Sequence, residues 1–119
     1  MAKILVVDDS LTEREVIKKS LEAEGYTVTT AEDGEKAISI LGNETFDCIL
    51  LDVIMPGKNG YQVCREIKRN ENTCKIPVIM VTSKGQESDK FWGKKQGADG
   101  YIVKPFKMEE LISVVRRYV

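Results

Sequence analysis

Histidine is absent from the 119 residues of this sequence. Without an imidazole there is no Ser-His or Cys-His pair, which excludes the enzymes that activate a nucleophile in this way. Zinc sites with the ligand spacings that include histidine are excluded as well. If the protein carries out chemistry, then carboxylates, a hydroxyl group and a lysine must do it.

Cysteine is scarce, and the three residues present, Cys48, Cys64 and Cys74, are odd in number and widely spaced. This pattern indicates reduced thiols in a cytoplasmic protein and not a disulfide framework. No apolar stretch approaches the length of a membrane span, and the apolar run between Lys3 and Asp8 is too short for a secretory signal peptide. We therefore expect no insertion into a membrane.

Neither sign of charge dominates the sequence. Its 19 acidic and 18 basic residues are interspersed and leave a net charge of −1, which gives no indication of a nucleic-acid partner. With 42% apolar and 31% charged residues, the composition is that of a globular protein. The length suits a single domain over residues 1–119, and no linker, repeat or low-complexity segment divides it.

Short apolar runs alternate with segments of helical periodicity. The runs predict five strands, at residues 3–7, 26–30, 48–53, 78–82 and 101–103. Strands that alternate with helices in this way predict a parallel sheet with helices on both faces. The third run is the most apolar, yet it contains the carboxylate of Asp52, and an unpaired charge is costly to bury.

The helical segments have their own start and stop signals. Ser10 and Glu13 match a capping box at the start of the first helix, and Gly25 is typical of its end. The predicted apolar face of this helix consists of Val16, Ile17 and Leu21. In a later helix, at about residues 88–96, we expect Phe91 in the core and Trp92 partly exposed, with Lys94 and Lys95 on a solvated face. Gly93 in the same helix indicates a close approach or local mobility.

Polar residues follow the apolar runs, at the edge of the sheet where ligands bind in open α/β folds. They combine carboxylates, hydroxyl groups and an amine: Asp8, Asp9, Asp52, Thr82, Ser83 and Lys104. Clustered carboxylates repel each other unless a cation joins them, and Mg²⁺ is bound by carboxylates together with water and phosphate oxygens. A carboxylate at such a site can act as the nucleophile toward a phosphoryl group, while a lysine and a hydroxyl stabilise the transferred oxygens. Asp52 is therefore the predicted site of phosphorylation.

The fragments VVDDS, LLDVIMPGKNG, VTS and YIVKPF, in this order, resemble the receiver domain of two-component response regulators. The resemblance covers essentially the whole chain. It implies a flavodoxin-like sheet with the strand order 2-1-3-4-5 and five helices on two faces. It also implies Mg²⁺ as the cofactor, which Mn²⁺ could replace, and a histidine kinase as the phosphoryl donor. Because this chain has no histidine, the donor histidine is on another protein.

Position by position, the resemblance assigns roles in the metal and phosphoryl chemistry. Asp52 is the phosphoacceptor, and Asp8 and Asp9 are the acidic pair of the metal site. Asp9 is expected to contact the metal directly and Asp8 largely through water, so Asp9 should matter more for Mg²⁺. The backbone carbonyl of Ile54 completes the metal site, and Lys104 contacts the phosphoryl group.

The resemblance also assigns a conformational switch. Thr82 is the switch hydroxyl and Tyr101 the switch aromatic, while the bond between Lys104 and Pro105 matches a cis peptide of the family. The residues expected to tune the loss of phosphate at the opening of the site are Ile54, Ser83 and Lys84. Plainer interpretations exist, since Asp8 and Asp9 could complement a helix dipole and Tyr101 could only pack.

The segment VTSKGQESDKFWGKKQGADGYIVKPF is similar to stand-alone receivers of chemotaxis-like systems that control type IV pili and twitching motility. This similarity implies a partner in the motility machinery, and the face with Trp92 and Tyr101 is the candidate contact surface. The expected state is a monomer or a weak dimer.

Other classes of protein fit less well. Phosphatases that form an aspartyl phosphate have a DxD arrangement, whereas Val53 and Ile54 follow Asp52. In a flavodoxin relative the first loop would need hydrogen-bond donors for a phosphate, but DDSLTE is acidic. A phosphate sink, which takes phosphoryl groups from a shared kinase and has no output target, is not distinguished from a regulator by the sequence.

Overall fold

The computed structural model describes every residue from Met1 to Val119. Five strands and five helices alternate along the chain. The strands are β1 (Lys3–Val7), β2 (Thr27–Ala31), β3 (Cys48–Leu51), β4 (Val78–Thr82) and β5 (Gly100–Val103). The helices are α1 (Leu11–Ala23), α2 (Gly34–Leu41), α3 (Gly60–Arg69), α4 (Glu87–Lys95) and α5 (Met108–Tyr118). None of these helices has the length and apolar character that crossing a membrane requires.

All five strands are parallel and form one sheet in the order β2-β1-β3-β4-β5. This order and the five helices confirm the flavodoxin-like fold that the sequence predicts. The strands β1, β3 and β4 are buried along nearly their whole length, because helices cover both faces of a parallel sheet. The edge strand β2 mixes buried and exposed residues, as its less apolar sequence predicts.

The hydrophobic core has two halves, one on each face of the sheet. One half lies under α2 and α3 and includes Ala37, Val63, Cys64 and Ile67 of these helices. The other half lies under α1 and α5 and includes Ile17, Leu21, Leu111 and Val115. Each Å² of apolar surface buried in this way contributes about 25 cal/mol, which holds the helices against the sheet. The packed sheet fixes where each strand ends, and so where the polar residues beyond the strands lie.

Helix α4 turns a different side toward the sheet than its sequence predicts. Gly93 is its only buried residue, and a Cβ atom there would lie 3.1 Å from the ring of Tyr101. This close approach brings the Gly93 side of α4 inward. Phe91, about 200° away around the helix, is consequently 61% exposed. The prediction that Phe91 lies in the core is therefore wrong, whereas Trp92 is half-exposed, as expected.

Helix α1 begins with only half of the predicted capping box. The Ser10 hydroxyl accepts a hydrogen bond from the N–H of Glu13 at 3.3 Å. The N–H of Ser10, however, donates to Oδ1 of Asp8 at 2.8 Å and not to the Glu13 side chain. Because Asp8 has taken that donor, the prediction of a reciprocal bond from Glu13 is wrong, and the Glu13 carboxylate is directed elsewhere.

Only part of the predicted apolar face of α1 is buried. Ile17 and Leu21, which are four residues apart, pack against the sheet, whereas Val16 is exposed. Val16 is rotated by about 100° from Ile17, which places it on the side of the helix. The helix ends before Gly25, as predicted, and the φ of 94° at Gly25 is one that glycine adopts most readily.

Candidate functional site

Three charged residues stand at the carboxyl edge of the sheet because each directly follows a strand. Asp8 follows β1, Asp52 follows β3 and Lys104 follows β5. Parallel strands end at the same edge, and ligands bind there in open α/β sheets. The predicted third strand, 48–53, in fact ends at Leu51. The charge of Asp52 therefore lies beyond the strand and not within it.

Lys104, which is linked to Pro105 by a cis peptide bond, joins three carboxylates. Its Nζ donates to Oε2 of Glu13 at 2.5 Å, to Oδ2 of Asp8 at 2.9 Å and to Oδ2 of Asp52 at 3.1 Å. An ammonium has three protons, so each proton has a carboxylate acceptor. Burial alone lowers the pKa of this amine, but the hydrogen bonds to Glu13 and Asp8 and the charge of Asp52 outweigh burial and raise the pKa. The amine therefore stays protonated.

The charge of the site suits a divalent cation. One carboxylate oxygen from each of Asp8, Glu13 and Asp52 lies within 4.8 Å of the other two. One ammonium neutralises one of three negative charges, which leaves an excess of two. Carboxylates are hard oxygen ligands of the kind that Mg²⁺ binds together with water and phosphate oxygens. The donor set therefore fits a Mg²⁺ ion.

Glu13 belongs to this cluster, although the sequence indicates only a capping role for it. It lies in the first turn of α1, which begins just beyond β1 at the same edge, and this position is the signal that could have identified it. Asp9, by contrast, is exposed, and its carboxylate has no hydrogen-bond partner and lies outside the close set. The direct contact of Asp9 with a metal stays a prediction.

The Asp52 carboxylate is nearly buried, and both of its oxygens are engaged. Oδ1 accepts a hydrogen bond from the N–H of Ile54 at 3.2 Å, and Oδ2 accepts one from Lys104. The Ile54 side chain is 55% exposed beside it. The following loop packs closely on Asp52, since a Cβ atom at Gly60 would lie 2.2 Å from the Asp52 carbonyl oxygen. This close approach requires glycine and fixes the backbone that carries the acid.

Strand β4 ends at Thr82, a hydroxyl residue whose backbone is hydrogen-bonded to that of Lys104. Thr82 is fully buried, and its Oγ1 accepts a hydrogen bond from the N–H of Lys84 at 3.4 Å. The N–H of Lys104 donates to the carbonyl oxygen of Thr82 at 2.9 Å. Ser83 is exposed, and the Lys84 ammonium lies 3.6 Å from Oδ1 of Asp89. Thr82 is therefore the β4 residue most closely tied to the charged cluster.

Tyr101 is held by the loop between β4 and α4 and by a second tyrosine. Its hydroxyl donates to the carbonyl oxygen of Lys84 at 2.6 Å and lies 3.4 Å from the hydroxyl of Tyr61. Burial, followed by the nearby Tyr61 hydroxyl, raises the pKa of the Tyr101 hydroxyl, so the phenol stays neutral. Because Lys84 also donates to Thr82, a short chain of hydrogen bonds connects Thr82 with Tyr101.

A five-stranded α/β sheet with acidic residues and a lysine at its carboxyl edge is the arrangement of a receiver domain. Residues 4–116 match the response regulator receiver domain family, and the chain belongs to this family. Receiver domains accept phosphoryl groups from histidine kinases and bind Mg²⁺ in an acidic pocket.

Known proteins and solved structures resemble the chain over its whole length. Protein PilH from Pseudomonas aeruginosa is 44% identical over 115 residues, which are 97% of this chain and 95% of that protein. Chemotaxis protein CheY4 of Vibrio cholerae is 35% identical, with a TM-score of 0.95 over 100% of this chain and 99% of the other. The receiver domain of sensor histidine kinase PA1611 from Pseudomonas aeruginosa, solved with a magnesium ion in its active site cleft, is 33% identical, with a TM-score of 0.90 over 98% of this chain and 96% of the other. The predicted family is therefore confirmed.

Proposed function

We propose that this protein is a response regulator that accepts a phosphoryl group on Asp52 from the phosphohistidine of a histidine kinase. The observation that carries this proposal is the contact of Lys104 with both Asp52 and Asp8 at one edge of the sheet. A carboxylate nucleophile, an amine for the transferred oxygens and a place for a divalent cation then lie together. Phosphorylation would change the affinity of the single domain, residues 1–119, for a partner.

The proposed reaction moves one phosphoryl group between two side chains. An oxygen of the Asp52 carboxylate forms a bond to phosphorus, and the P–N bond to the kinase histidine breaks. The electron pair of that bond returns to the imidazole, which takes up a proton from solvent. The acyl phosphate is later hydrolysed by water, which restores the carboxylate and releases inorganic phosphate. In this proposal the protein is not an enzyme for other substrates, because it promotes only its own phosphorylation and dephosphorylation.

The metal in this proposal is Mg²⁺, which Mn²⁺ could replace. When bound, it would neutralise charge between the carboxylates and the phosphoryl oxygens. The residues proposed to hold it are Asp8, Asp9 and Asp52, together with the backbone carbonyl of Ile54. The excess negative charge of the carboxylate cluster supports a cation beside Asp8 and Asp52.

We propose that the phosphoryl group is bound by Lys104 and Thr82 and that Tyr101 responds to it. Lys104 would exchange its contact with the Asp52 carboxylate for one with a phosphoryl oxygen, and the Thr82 hydroxyl would donate to another. The Thr82 hydroxyl accepts from the N–H of Lys84, and the carbonyl of Lys84 accepts from Tyr101. A Thr82 hydroxyl that turns to the phosphoryl group would therefore alter the loop that holds Tyr101, which biases the balance between two shapes.

The proposed output is control of pilus-based or chemotaxis-like motility, and the similarity to protein PilH supports it. We propose that the motility partner binds the face with Trp92 and Tyr101. The half-exposed Trp92 and the exposed Phe91 provide apolar surface on α4 for such a contact. The protein is proposed to act in the cytoplasm as a monomer or weak dimer, and its three free cysteines are typical of a reducing compartment.

Phosphotransfer from a purified histidine kinase tests this function. A kinase phosphorylated with labelled ATP is mixed with this protein in Mg²⁺, and we expect the label to move to the wild type. The Asp52→Asn variant and a sample with EDTA should stay unlabelled. Transfer to Asp52→Asn at the wild-type rate would contradict the proposed acceptor.

Affinity capture distinguishes a regulator from a phosphate sink. The wild type, loaded with Mg²⁺ and beryllofluoride as a phosphoryl mimic, should retain a partner that the untreated protein releases. Equal capture with and without beryllofluoride would mean that phosphorylation does not control binding. A protein that takes the label from the kinase but binds no partner in either state would be a sink.

A further inference from the structure

Glu13 is part of the charged cluster, but neither metal binding nor phosphoryl transfer as proposed above requires it. Its Oε2 lies 2.5 Å from Nζ of Lys104, and its side chain is 43% exposed, whereas the Lys104 side chain is only 15% exposed. The N–H of Glu13 is bound by the Ser10 hydroxyl, which anchors the residue in the first turn of α1. A fixed backbone thus presents this carboxylate to a nearly buried amine.

We propose that Glu13 is a positioning residue that keeps the Lys104 ammonium at the site during phosphorylation. This inference rests on the proposed function, because the reaction changes the two other carboxylates that Lys104 contacts. Asp52 and Asp8 each accept a hydrogen bond from Lys104 in the structure. Once the proposed reaction begins, Asp52 bonds to phosphorus and Asp8 is shared with the metal ion. Glu13 takes part in neither step.

The charges show why Lys104 needs another anchor. When Asp52 becomes an acyl phosphate, the negative charge that attracts the amine moves from the carboxylate to the phosphoryl oxygens, so Lys104 has to change partners. When Asp8 shares a divalent cation, the positive ion repels an ammonium nearby. Lys104 could then turn outward to water, where it cannot reach a phosphoryl oxygen. The Glu13 carboxylate opposes this movement while leaving two ammonium protons for Asp8 and the phosphoryl group.

An ordinary capping role does not account for the position of Glu13. A capping glutamate bonds back to the N–H of the cap residue. Here the N–H of Ser10 is taken by Oδ1 of Asp8 at 2.8 Å. The Glu13 side chain therefore reaches across from α1 to the residue after β5, which is 91 positions away in sequence.

Replacing the Glu13 carboxylate with a neutral amide gives the first test. Electrostatics and positioning predict opposite changes in the phosphorylation rate of this variant. In Glu13→Gln, the loss of a negative charge should by electrostatics alone speed the reaction with an anionic donor such as acetyl phosphate. The loss of positioning should instead slow it. At saturating Mg²⁺ and with initial rates measured from labelled protein, we expect a decrease of threefold or more. An unchanged or faster rate would overturn the proposal.

Glu15→Gln is the matched control for this experiment. Glu15 lies two residues further along α1, is exposed and has no hydrogen bond or salt bridge, so its substitution removes the same charge from the same helix. The Glu15→Gln variant should react at the wild-type rate or slightly faster. A decrease equal to that of Glu13→Gln would assign the effect to the net charge of α1 and overturn the proposal. If the wild type took no label at all, the proposed function itself would fail.

Spectroscopy of the lysine side chains gives a second test that does not depend on the reaction rate. Proton–nitrogen correlation spectra show an ammonium group only when hydrogen bonds slow its exchange with water. Lys68 is an internal reference, because its Nζ donates to the carbonyl oxygens of Cys74 and Ile76 and to Oδ2 of Asp99. With Mg²⁺ and beryllofluoride bound, the wild type should show both ammonium signals, of Lys68 and of Lys104. Glu13→Leu, which removes the hydrogen-bond acceptor as well as the charge, should lose the Lys104 signal alone, and its persistence would overturn the proposal.

Discussion

At the scale of single residues, the site is built from charges that cancel only in part. Lys104 uses all three of its protons on Asp8, Glu13 and Asp52. A buried charge left without a partner is costly, so each carboxylate near the sheet edge supports the others through this one amine. The remaining negative charge makes the site receptive to a divalent cation and, with that cation, to a phosphoryl group.

The first prediction concerns Asp9, the exposed residue of the acidic pair Asp8 and Asp9. Asp9→Asn should weaken Mg²⁺ binding by about tenfold or more, because a carboxylate without a protein partner can turn to an ion without breaking another contact. Asp8 has contacts with Lys104 and Ser10 that it would have to share. Isothermal titration calorimetry with Mg²⁺ measures the affinity, and Glu15→Gln is the control for a lost negative charge on the same stretch. An Asp9→Asn affinity equal to that of the wild type would contradict the assignment.

The second prediction concerns the lifetime of the phosphorylated protein. Ile54 is 55% exposed beside Asp52 and offers no polar group, so we expect it to cover the approach of water to phosphorus without orienting it. Ile54→Asn should therefore speed hydrolysis several-fold and leave Mg²⁺ binding intact, because the metal would use only the backbone carbonyl at this position. Ile54→Val, which stays apolar, should decay at nearly the wild-type rate.

Decay of the label after removal of the donor checks this prediction. An unchanged or slower decay in Ile54→Asn would show that another residue limits the access of water. Lys84 would then be the first candidate, although its ammonium lies toward Asp89 in the structure.

At the scale of elements, α4 is the helix that contributes the fewest buried residues to the core. Gly93 is its only buried residue, and the ring of Tyr101 lies against that glycine. Tyr61, whose hydroxyl donates to the carbonyl oxygen of Asp89, adds a link from α3 to the same helix. The position of α4 therefore depends on aromatic contacts and on a few hydrogen bonds, and much less on a buried apolar stripe.

The third prediction tests the contact between Gly93 and Tyr101. Alanine in the middle of a helix is favoured over glycine by about 1 kcal/mol. In the wild type a new Cβ would lie 3.1 Å from the Tyr101 ring, so Gly93→Ala should give little or none of this gain. In a Tyr101→Ala background the same substitution should give most of it. Urea denaturation measures the free energies of unfolding, and an equal gain in both backgrounds would contradict the contact.

The elements also show what the sequence could and could not predict. Strands in a buried parallel sheet need apolar runs, so all five strands were predictable from the five short apolar runs of the sequence. The side of α4 that faces the sheet was not predictable. It is determined by the close approach of Gly93 to Tyr101, which leaves Phe91 exposed. No apolar periodicity marks such a contact.

The same limit applies to the site. The positions of Asp52 and Lys104 were predictable because these residues follow strands that share one edge, whereas the contact of Glu13 with Lys104 depends on which group takes the N–H of Ser10. A local capping signal and a contact between distant elements compete for the same side chain. Only the packed fold determines which of them prevails.

At the scale of the whole molecule, the sheet places the charged edge and the α4–β5 face in one hydrogen-bonded framework. The chain of contacts runs from Thr82 through Lys84 to Tyr101. At the opposite end of the sheet, Lys68 and Asp99 tie α3 to the segments that flank β4 and β5. Because this end is held, we expect a change at the carboxyl edge to act on α4 while the rest of the fold stays in place.

Mapping of the phosphorylated residue tests the central claim most directly. The protein is incubated with acetyl phosphate and Mg²⁺ and then treated with borohydride, which reduces an aspartyl phosphate to homoserine, and its peptides are sequenced by mass spectrometry. The account predicts homoserine at position 52 alone, and none when EDTA replaces Mg²⁺. Homoserine at Asp8 or Asp9 with Asp52 intact, or the same modification of Asp52 in EDTA, would contradict it.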